Sequence, residues 1–347
     1  MTLFLLTGCV DITIEFKEEN KKNPETTLIA EGEMLIHCID VGQGDSTLIQ
    51  VGEKNILIDA GENDQGEVVT AYLNKLNINT LDMVIGTHPH SDHVGGLDTV
   101  LHNFDVKSVY IPNKIHDSDT FQDFLKSIKK EGLDYIIPDV GDKVYYEDLG
   151  FQLTFLGPDD EVDYGESLNE YSLVTMIQFG DVKYLTGGDT DYDGYDDLLA
   201  SGQNLDADIF HAFHHGSDNH TNTSELVDLV SADYVIASCG ANNSYGHPNT
   251  AFLKRFSNSE IYRTDKNGNI IITIKNNGEI SFNTTPTTIP SGDEEISLED
   301  MYVGNMKTMK YHKADCSNLP YEENRVYFTS EKEAEDAGYT KSKDCFR

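Results

Sequence analysis

The stretch "GTHPHSDHVGGL", residues 86–97, places three histidines and one aspartate within six positions. These four side chains are His88, His90, Asp92 and His93. Imidazole nitrogens and carboxylate oxygens are the groups that bind zinc or manganese at neutral pH. An apolar run at 81–85 predicts a strand that leads into the loop, and two glycines follow it. A solvated polar loop is the alternative, but four ligand-type residues at this spacing favour a metal site.

The charge of the chain limits which partners it can hold. Its 347 residues include 25 Lys or Arg and 61 Asp or Glu, which gives a formal net charge of −36. Residues 301–347 contain eight basic and eight acidic side chains, so the whole excess lies on residues 1–300. Such a surface repels polyanions, which argues against tight binding of nucleic acid by a basic patch. A polyanionic substrate remains compatible with this charge where bound metal ions reverse the local field.

The first residues, "MTLFLLTGCV", are apolar and end in a sequence similar to a bacterial lipobox. In such a signal the cysteine, here Cys9, becomes the lipidated N-terminus after cleavage. The polar stretch at 15–33 is typical of a tether. We therefore expect residues 1–33 to be a lipoprotein signal remnant and tether, which would place the protein outside the cell, on a bacterial surface, attached to the membrane through its lipid alone. An ordinary apolar strand with a chance cysteine is the alternative.

The remaining chain divides into two parts by pattern and composition. Strand-like and helix-like patterns alternate over 34–283, after hairpins near the start. This order predicts an α/β domain with two sheets and helices packed outside them. The stretch 284–300, rich in Thr, Pro, Ser and acidic residues, predicts a linker. Residues 301–347 are then a second, small α+β module.

The H-x-H-x-D-H pattern resembles the metal-binding motif of the metallo-β-lactamase superfamily, and the resemblance covers 34–283. It implies a four-layer αββα sandwich. Three further motifs occur in the order of the family: "NILIDAG" (55–61), "KYLTGGDT" (183–190) and "FHHGS" (213–217). The resemblance implies that Asp59 orients the ligands and that Asp189 bridges two divalent ions, zinc or manganese.

The same resemblance assigns the remaining ligands. His88 and His90 would bind the first ion, and Asp92 and His93 the second. One of His214 and His215 would complete the second site, and the family pattern favours His215. A histidine commonly supplies a further ligand to the first ion, but Asn169 stands at that place in this sequence. The resemblance therefore implies a weaker or more open first site, with Asn169 beside its ligands.

Three local motifs resemble one branch of the superfamily. They are "IDVGQGDSTLIQ" (39–50), "HHGSDNH" (214–220) and "YGHPN" (245–249). Together they are similar to the hydrolase domain at the C-terminus of ComEC-type DNA-uptake channels and to its stand-alone secreted relatives. The resemblance implies hydrolysis of phosphodiester bonds.

Each of these motifs has a use in that chemistry. The glycines of "VGQGD" let backbone N–H groups approach an anion, and Gln43 and Asp45 are expected to line the substrate pocket. Ser217 and the motif histidine that is not bound to metal can donate hydrogen bonds to a phosphate oxygen. His247, on a loop framed by Gly and Pro, is predicted to protonate the leaving alkoxide. A plain turn for the first motif and a surface histidine for the last are the alternatives.

The stretch 301–347 resembles a small Ada-like metal-binding module, with His312, Cys316 and Cys345 at three of its ligand positions. Ser342 stands where the first late cysteine is expected, so a tetrahedral zinc site would lack its fourth ligand. We therefore expect a disulfide between Cys316 and Cys345, which would stabilise a module with little core of its own. Weak contact with DNA or wall polymer and a purely structural role both stay open.

The sequence thus predicts an extracellular, lipid-anchored, monomeric hydrolase that cleaves phosphodiester bonds by attack of a metal-bridged hydroxide, with DNA as its leading substrate. Asp92 would act as an essential ligand, and His247 or His214 would assist the departing alkoxide. A phosphodiesterase of wall or lipid head groups, like the phosphorylcholine esterases, is the first alternative, and the acidic surface favours it. A non-catalytic surface binding protein that retains the fold is the second.

Overall fold

The computed structural model describes residues 29–159 and 161–285 and, with gaps, parts of 302–345. The predicted lipidation site, Cys9, and most of the predicted linker, residues 286–300, lie outside the described residues. The first two residues assigned to that linker, Thr284 and Thr285, belong to a strand. Within the described part of the chain, no helix has the length and apolar character needed to cross a membrane.

The chain between residues 29 and 285 folds into strands and helices with short connections. The strands are β1 (Glu33–Cys38), β2 (Thr47–Val51), β3 (Lys54–Ile58), β4 (Thr80–Leu81), β5 (Met83–Ile85), β6 (Asp105–Val106), β7 (Val109–Tyr110), β8 (Tyr135–Ile136), β9 (Lys143–Tyr146), β10 (Phe151–Gly157), β11 (Val174–Phe179), β12 (Val182–Thr186), β13 (Ile209–His211), β14 (Tyr234–Ala237), β15 (Glu260–Arg263), β16 (Asn269–Lys275) and β17 (Ile280–Thr285). The α-helices are α1 (Gly66–Lys75), α2 (Ser91–Val94), α3 (Leu97–Asn103), α4 (Asp119–Lys130), α5 (Tyr192–Ala200), α6 (Ser224–Val230), α7 (Thr250–Arg255) and α8 (Thr264–Asn267). Short 3₁₀ turns lie at Asn63–Gln65, Glu147–Leu149, Asn169–Tyr171 and Phe213–Gly216.

Most of these strands form two sheets. The first sheet has eight strands in the order β17-β16-β1-β2-β3-β5-β7-β8, and the second has seven in the order β15-β14-β13-β12-β11-β10-β9. β4 and β6 pair separately. Strands β3, β5, β7 and β8 run parallel in the first sheet, as do β12 to β15 in the second. Because parallel strands end at the same edge, each sheet gathers the loops that follow them along one edge.

The two sheets pack face to face across an apolar core. Along β16, Ile270, Ile272 and Ile274 are fully buried and alternate with half-exposed residues. This is the period of two expected for a strand with one buried face. The three isoleucines share a buried cluster with Leu153 and Phe155 of β10, which belongs to the other sheet. The shared core makes the two sheets the inner layers of the fold.

Helices cover the outer face of each sheet. α1, α3 and α4 pack on the first sheet through apolar side chains such as Val69 and Phe121. α5, α6 and α7 pack on the second sheet in the same way, through side chains such as Leu226 and Phe252. The layer order is therefore helix, sheet, sheet, helix, which confirms the predicted αββα sandwich.

The helix α4 shows how local sequence sets these outer layers. The hydroxyl of Ser118 accepts a hydrogen bond from the backbone N–H of Phe121 at 3.4 Å, and so caps the first turn. Phe121, Phe124 and Ile128 follow the helical spacing of three and four and form the buried face. Two lysines in the last turn suit the negative end of the helix dipole.

The C-terminal module forms a small sheet of its own. Its strands, β18 (Tyr302–Asn305), β19 (Lys310–Lys313), β20 (Arg325–Phe328) and β21 (Thr340–Lys341), are ordered β20-β18-β19-β21. A disulfide joins Cys316 and Cys345, the pairing expected from the sequence. Nδ1 of His312 lies 3.1 Å from Sγ of Cys345, and Ser342 is buried. Two of the three residues at zinc-ligand positions, Cys316 and Cys345, therefore have their sulfurs in the disulfide rather than free to bind zinc.

Candidate metal centre

The candidate centre lies at the edge of the sandwich where parallel strands of both sheets end. The loops after β3 and β5 supply Asp59 and residues 88–93 from the first sheet. The loops after β12 and β13 supply Asp189 and the Phe213–Gly216 turn from the second sheet. Both sheets therefore contribute ligand-type side chains from the carboxyl ends of their strands, the usual position of a site in parallel sheets.

A buried carboxylate, Asp59, fixes the orientation of His93. The Asp59 carboxylate accepts hydrogen bonds from the backbone N–H of Thr87 at 2.8 Å and from the Thr87 hydroxyl at 2.7 Å. Nδ1 of His93 lies 2.8 Å from the same carboxylate. Because Nδ1 carries the proton that faces Asp59, Nε2 of His93 is left as the metal-binding nitrogen. Asp59 therefore has the ligand-orienting position that its motif implies.

Four ligand-type atoms converge at the centre of the site. They belong to Asp92, His93, Asp189 and His215, and all lie within 4.8 Å of one another. Nε2 of His93 is 3.1 Å from Oδ1 of Asp189, and Nε2 of His215 is 3.2 Å from Oδ2 of Asp92. Nε2 of His93 and Oδ1 of Asp189 are buried, and apart from their contact with the acidic and histidine side chains of this cluster neither has a hydrogen-bond partner among the described residues. Buried polar atoms are seldom left unsatisfied, so this cluster fits a divalent cation that prefers nitrogen and oxygen ligands.

The structure distinguishes the two adjacent histidines of the "HHGS" motif. Both have left-handed backbone conformations, with φ of 48° at His214 and 54° at His215. His215 is buried and its Nδ1 donates to the carbonyl oxygen of Ser238 at 3.0 Å, which leaves Nε2 for the cluster. His214 has Nδ1 3.3 Å from Asp191 and Nε2 3.7 Å from Asp189. His215 is therefore the better-placed ligand of the second site, and His214 lies beside it.

The first pair of predicted ligands, His88 and His90, face each other. Nε2 of His88 and Nδ1 of His90 are 3.0 Å apart, and Nδ1 of His88 lies 3.2 Å from the Thr87 hydroxyl. Nδ2 of Asn169 donates to Asp191 at 3.0 Å, and the buried Oδ1 of Asn169 has no hydrogen-bond partner. Two imidazoles, a shared carboxylate and an amide oxygen are a weaker donor set for zinc than the second cluster.

The charges in the second cluster are those of ionised carboxylates and protonated imidazoles. Burial lowers the pKa of His215, but Asp189, Asp92 and Asp45 outweigh burial and raise that pKa to about 9. Burial also lowers the pKa of His93, and Asp189 and Asp92 again outweigh it, so that this pKa is raised. Burial raises the pKa of Asp189, yet His215 and His93 hold it well below its usual range. Protons therefore occupy nitrogens that a metal ion would bind.

Metal binding should release protons from these histidines. A metal ion binds neutral imidazole, whereas the raised pKa values keep His93 and His215 protonated at pH 7. We expect release of about one to two protons per protein at pH 7, and tighter binding as the pH rises toward the His215 pKa of about 9. Titration calorimetry with Zn²⁺ in buffers of different ionisation enthalpy measures this release. His215→Gln should release fewer protons, and a binding heat that does not depend on the buffer would contradict the prediction.

Asp45, predicted to line the substrate pocket, lies instead behind His215. It is buried, with Oδ1 3.2 Å from Nε2 of His211 and Oδ2 3.8 Å from Nδ1 of His215. Burial raises the pKa of Asp45, but His211 and His215 outweigh burial and lower it to about 2. The prediction was wrong because the N–H of Asp45 donates to the carbonyl oxygen of Asp92 at 3.0 Å, which holds this residue inward against the metal-binding loop.

The two other residues predicted to contact substrate differ in their placement. Ser217 is buried, and its hydroxyl oxygen accepts a hydrogen bond from the N–H of Asn219 at 3.1 Å. The predicted contact between Ser217 and a phosphate oxygen therefore does not fit, because the turn directs this side chain into the protein. Gln43 does line the cavity in front of the centre, and its Oε1 accepts a hydrogen bond from the N–H of Gly240 at 3.1 Å.

No sequence motif marked His211, yet it connects the second site to the core. Its Nδ1 lies 2.7 Å from the hydroxyl of Tyr184. Its Nε2 lies 2.8 Å from the hydroxyl of Ser238 and 3.2 Å from Asp45. These residues are all buried, so the chain from Tyr184 through His211 and Asp45 holds His215 from behind. A histidine that ends an apolar strand just before the "HHGS" motif was the available signal.

Removing the negative charge behind His215 should weaken the second site. Asp45→Asn keeps the size of the side chain but loses the charge that lies near His211 and His215. Partners of metal ligands typically contribute about 10- to 100-fold to metal affinity, and we expect a loss of that order, measured by competition with a chelating dye. Asp40→Asn, in the same loop but bonded to the N–H of Gly42, should bind metal normally. Equal affinities for the wild type and Asp45→Asn would show that Asp45 does not support His215.

The centre opens into a cavity of about 540 Å³. Besides ligand-type residues of both sites, its walls include Gln43, Glu62, Asn169, His214, Tyr245 and His247. Among the described residues that line it there is no Lys or Arg. A bound phosphate would therefore rely on metal ions and histidines for positive charge.

His247 lies in this cavity close to both motif histidines. Its ring centre is 5.4 Å from that of His214 and 6.0 Å from that of His215. Burial and then the neighbouring His215 and His214 lower the pKa of His247 to about 4. His247 is therefore neutral at pH 7 when no metal is bound, and its role as proton donor to the leaving alkoxide stays a prediction. Burial lowers the pKa of His214, but Asp189 and Asp191 outweigh it and raise that pKa, so His214 holds its proton more tightly than His247 does when no metal is bound.

Comparison with known proteins agrees with this geometry. Residues 39–240 match the sequence profile of the metallo-beta-lactamase superfamily. The chain belongs to the metallo-β-lactamase superfamily. The matched region contains Asp59, both histidine motifs and Asp189, whereas Tyr245 and His247 lie beyond it. The family, its fold and the Asp/His cluster together indicate a metal centre at this edge of the sandwich.

Relatives of this superfamily member include competence proteins. It is 30% identical over 269 residues to ComE operon protein 3 of Bacillus subtilis (strain 168), covering 72% of this chain and 34% of that protein. It is 26% identical over 255 residues to competence protein ComA of Neisseria gonorrhoeae, covering 69% of this chain and 32% of that protein. The chain thus spans about a third of the length of these relatives. Among solved structures, the metallo-beta-lactamase fold protein YhfI from Bacillus subtilis has a TM-score of 0.45 and 15% identity, covering 72% of this chain and all of YhfI.

Proposed function

We propose that this protein is a phosphodiesterase with DNA as its leading substrate. The observation that carries the proposal is the convergence of Asp92, His93, Asp189 and His215 within 4.8 Å, at the base of a cavity that also contains His90 and His214. One relative is named competence protein ComA, and another is named recombination protein 2, from Haemophilus influenzae. These names support a nucleic acid as substrate. We further propose that the protein acts as a monomer on the outside of a bacterial cell, anchored through a lipid on Cys9.

The residues of the cavity have distinct parts in such a reaction. Divalent ions held by the two sites would supply Lewis acidity, which polarises a phosphate and lowers the pKa of a water. His214, held by Asp191 at 3.3 Å, is placed to give its proton to a leaving alkoxide. His247 is neutral and can donate a hydrogen bond to a phosphate oxygen. Gln43, fixed by its bond to Gly240, can position the substrate through its side-chain nitrogen.

The charge of the cavity walls predicts how DNA binding depends on salt and how cleavage depends on metal. Its described walls carry Glu62, Asp92 and Asp189 but no Lys or Arg, and the whole chain has a net charge of −36. Few phosphates can therefore be neutralised by side chains, so the affinity for DNA should depend only weakly on salt. Cleavage should in turn depend strictly on added metal.

Incubation of the Mn²⁺- or Zn²⁺-loaded protein with labelled single-stranded DNA tests the proposal. We expect cleavage that stops on chelation and is absent from Asp189→Ala. If the loaded protein leaves DNA intact but hydrolyses a small chromogenic phosphodiester, the DNA assignment is wrong and the phosphodiesterase assignment stands. If it hydrolyses neither, both assignments are wrong.

A phosphodiester of wall or lipid head groups is the second candidate substrate. The absence of Lys and Arg from the described cavity walls favours a small or zwitterionic substrate over a long polyanion. Phosphorylcholine esters of a chromogenic alcohol distinguish this candidate from DNA. The third reading, a binding protein without activity, predicts a loss of ligands, whereas this chain keeps all four residues of the second cluster.

A further inference from the structure

An exposed aromatic side chain stands at the cavity wall and has no part in the mechanism. Tyr245 is 68% exposed, more than any other large hydrophobic residue in the described part of the chain. It also lines the cavity of the metal centre. Its ring stacks on His247, with ring centres 5.8 Å apart and an angle of 23° between the planes. One face of the Tyr245 ring is therefore covered by His247, and the other is free for a ligand at the cavity wall.

The loop that carries Tyr245 is held in this shape by its own hydrogen bonds. Nδ2 of Asn243 donates to the carbonyl oxygens of Gly240 at 2.9 Å and His247 at 2.7 Å. The N–H of His247 donates in turn to Oδ1 of Asn243 at 3.0 Å. These bonds close the loop at its base. Tyr245 therefore stays exposed to solvent, although burial of an aromatic ring is ordinarily favourable.

The position of the ring relates it to the metal centre. His247 lies between Tyr245 and His215, at 5.8 Å from the first ring and 6.0 Å from the second. A group stacked on the free face of Tyr245 would thus lie on the side away from His247, where a nucleotide next to the reacting phosphate could place its base. Because the described cavity walls lack Lys and Arg, stacking adds an affinity for the base that the metal ions and the hydrogen bonds of His247 and Gln43 to the phosphate do not provide.

We propose that Tyr245 is a stacking platform for an unpaired nucleobase of the strand whose phosphate occupies the metal centre. This inference rests on the proposed function and names the form of its substrate. An unpaired base offers its face to a tyrosine, whereas a base inside a duplex is already stacked on its neighbours. The protein should therefore prefer single strands, ends and loops over intact duplex.

Tyrosine variants test the platform on single-stranded DNA with the metal-loaded protein. Stacking on an aromatic side chain contributes enough per base that Tyr245→Ala should raise KM by about 5- to 150-fold with little change in kcat. Tyr245→Phe should behave like the wild type, because stacking needs the ring and not the hydroxyl. Tyr145→Ala is the matched control, since Tyr145 is also exposed, at 56%, and lies away from this cavity. Metal content and circular dichroism should be the same for all four proteins.

A substrate with abasic sugars around the cleaved position completes the test. The KM of the wild type should rise on this substrate by the same factor by which Tyr245→Ala raises KM on ordinary DNA. The KM of Tyr245→Ala should be the same for the two substrates. A wild-type KM for Tyr245→Ala, or a loss in Tyr245→Phe equal to that in Tyr245→Ala, would overturn the platform while DNA cleavage stands. A loss confined to phosphorylcholine esters would also overturn it in favour of a cation site. If the wild type neither cleaves nor binds oligonucleotides by fluorescence anisotropy, the proposed function and the platform both fail.

Discussion

Asp189→Ala should abolish turnover of any phosphodiester and remove metal from the protein. Oδ1 of Asp189 lies 3.1 Å from Nε2 of His93 and 3.5 Å from Nε2 of His215. It is the one carboxylate expected to contact both ions, so its loss removes a ligand from each site. Metal ions contribute several kcal/mol of transition-state stabilisation, so we expect kcat/KM to fall by at least about 10³-fold. Steady-state kinetics and the metal content of dialysed protein measure the two effects.

Asp196→Ala is the control for this variant. It removes the same charge from a nearby exposed residue, which pairs with His220 at 3.0 Å outside the cluster. The control should keep wild-type kinetics and metal content. If Asp189→Ala kept both its metal and its activity, the assignment of a shared carboxylate would be wrong. If it lost activity but kept both ions, Asp189 would have a role other than that of a ligand.

Gly44→Ala should destabilise the domain and disturb the metal centre together. Gly44 has φ of +145°, and a Cβ at this position would overlap the carbonyl oxygen of Asp92. That carbonyl accepts the N–H of Asp45 at 3.0 Å, so relief of the overlap must move either the metal-binding loop or the turn beside it. Backbone strain and overpacking each cost about 1–3 kcal/mol. We expect the free energy of unfolding to fall by about 2–5 kcal/mol, measured by urea denaturation in the presence of a chelator.

Gly42→Ala separates steric overlap from backbone strain in the same turn. Gly42 has φ of +72°, but nothing lies within 4 Å of the position that its Cβ would take. This variant should lose only about 1–2 kcal/mol, the cost of a left-handed conformation, and should bind metal like the wild type. If both variants lost the same free energy of unfolding, the steric overlap with Asp92 would not contribute to the effect of Gly44→Ala.

The sequence was informative where ligand residues stand close together in one loop. His88, His90, Asp92 and His93 follow a buried strand, so their proximity is fixed by the loop itself. The αββα architecture was also predictable, because alternating patterns of period two and period 3.6 identify one buried face on each element. Two glycines follow the loop in the sequence, and a Cβ at the second, Gly96, would overlap the carbonyl oxygen of Ala60.

The sequence could not predict the direction of side chains that depend on contacts between distant segments. Asp45 turns inward because its N–H bonds to Asp92, and nothing in the local motif distinguishes this from a residue that faces substrate. His211 gains its role only when β13 and β14 place it beside Ser238. The pKa of His247 likewise depends on His214 and His215, which are more than thirty positions away in the sequence.

Several short elements have patterns too weak to be predicted from the sequence, as β9 and α8 show. β9 (Lys143–Tyr146) is an edge strand whose residues alternate between exposed and half-exposed, without a buried position to mark it. α8 (Thr264–Asn267) has four residues, which is too short for a helical period to appear. Neither element supplies a residue of the Asp/His cluster.

The origin of the ligands in two different sheets has a mechanical consequence. Asp92 and His93 lie in the segment after a strand of the first sheet, and Asp189 and His215 follow strands of the second. His215 is 123 positions from Asp92 in the sequence. An ion bound by all four would act as a removable crosslink that closes a long loop of the chain, much as a disulfide does. The supply of metal, as well as folding itself, would then decide when the open edge of the sandwich becomes rigid.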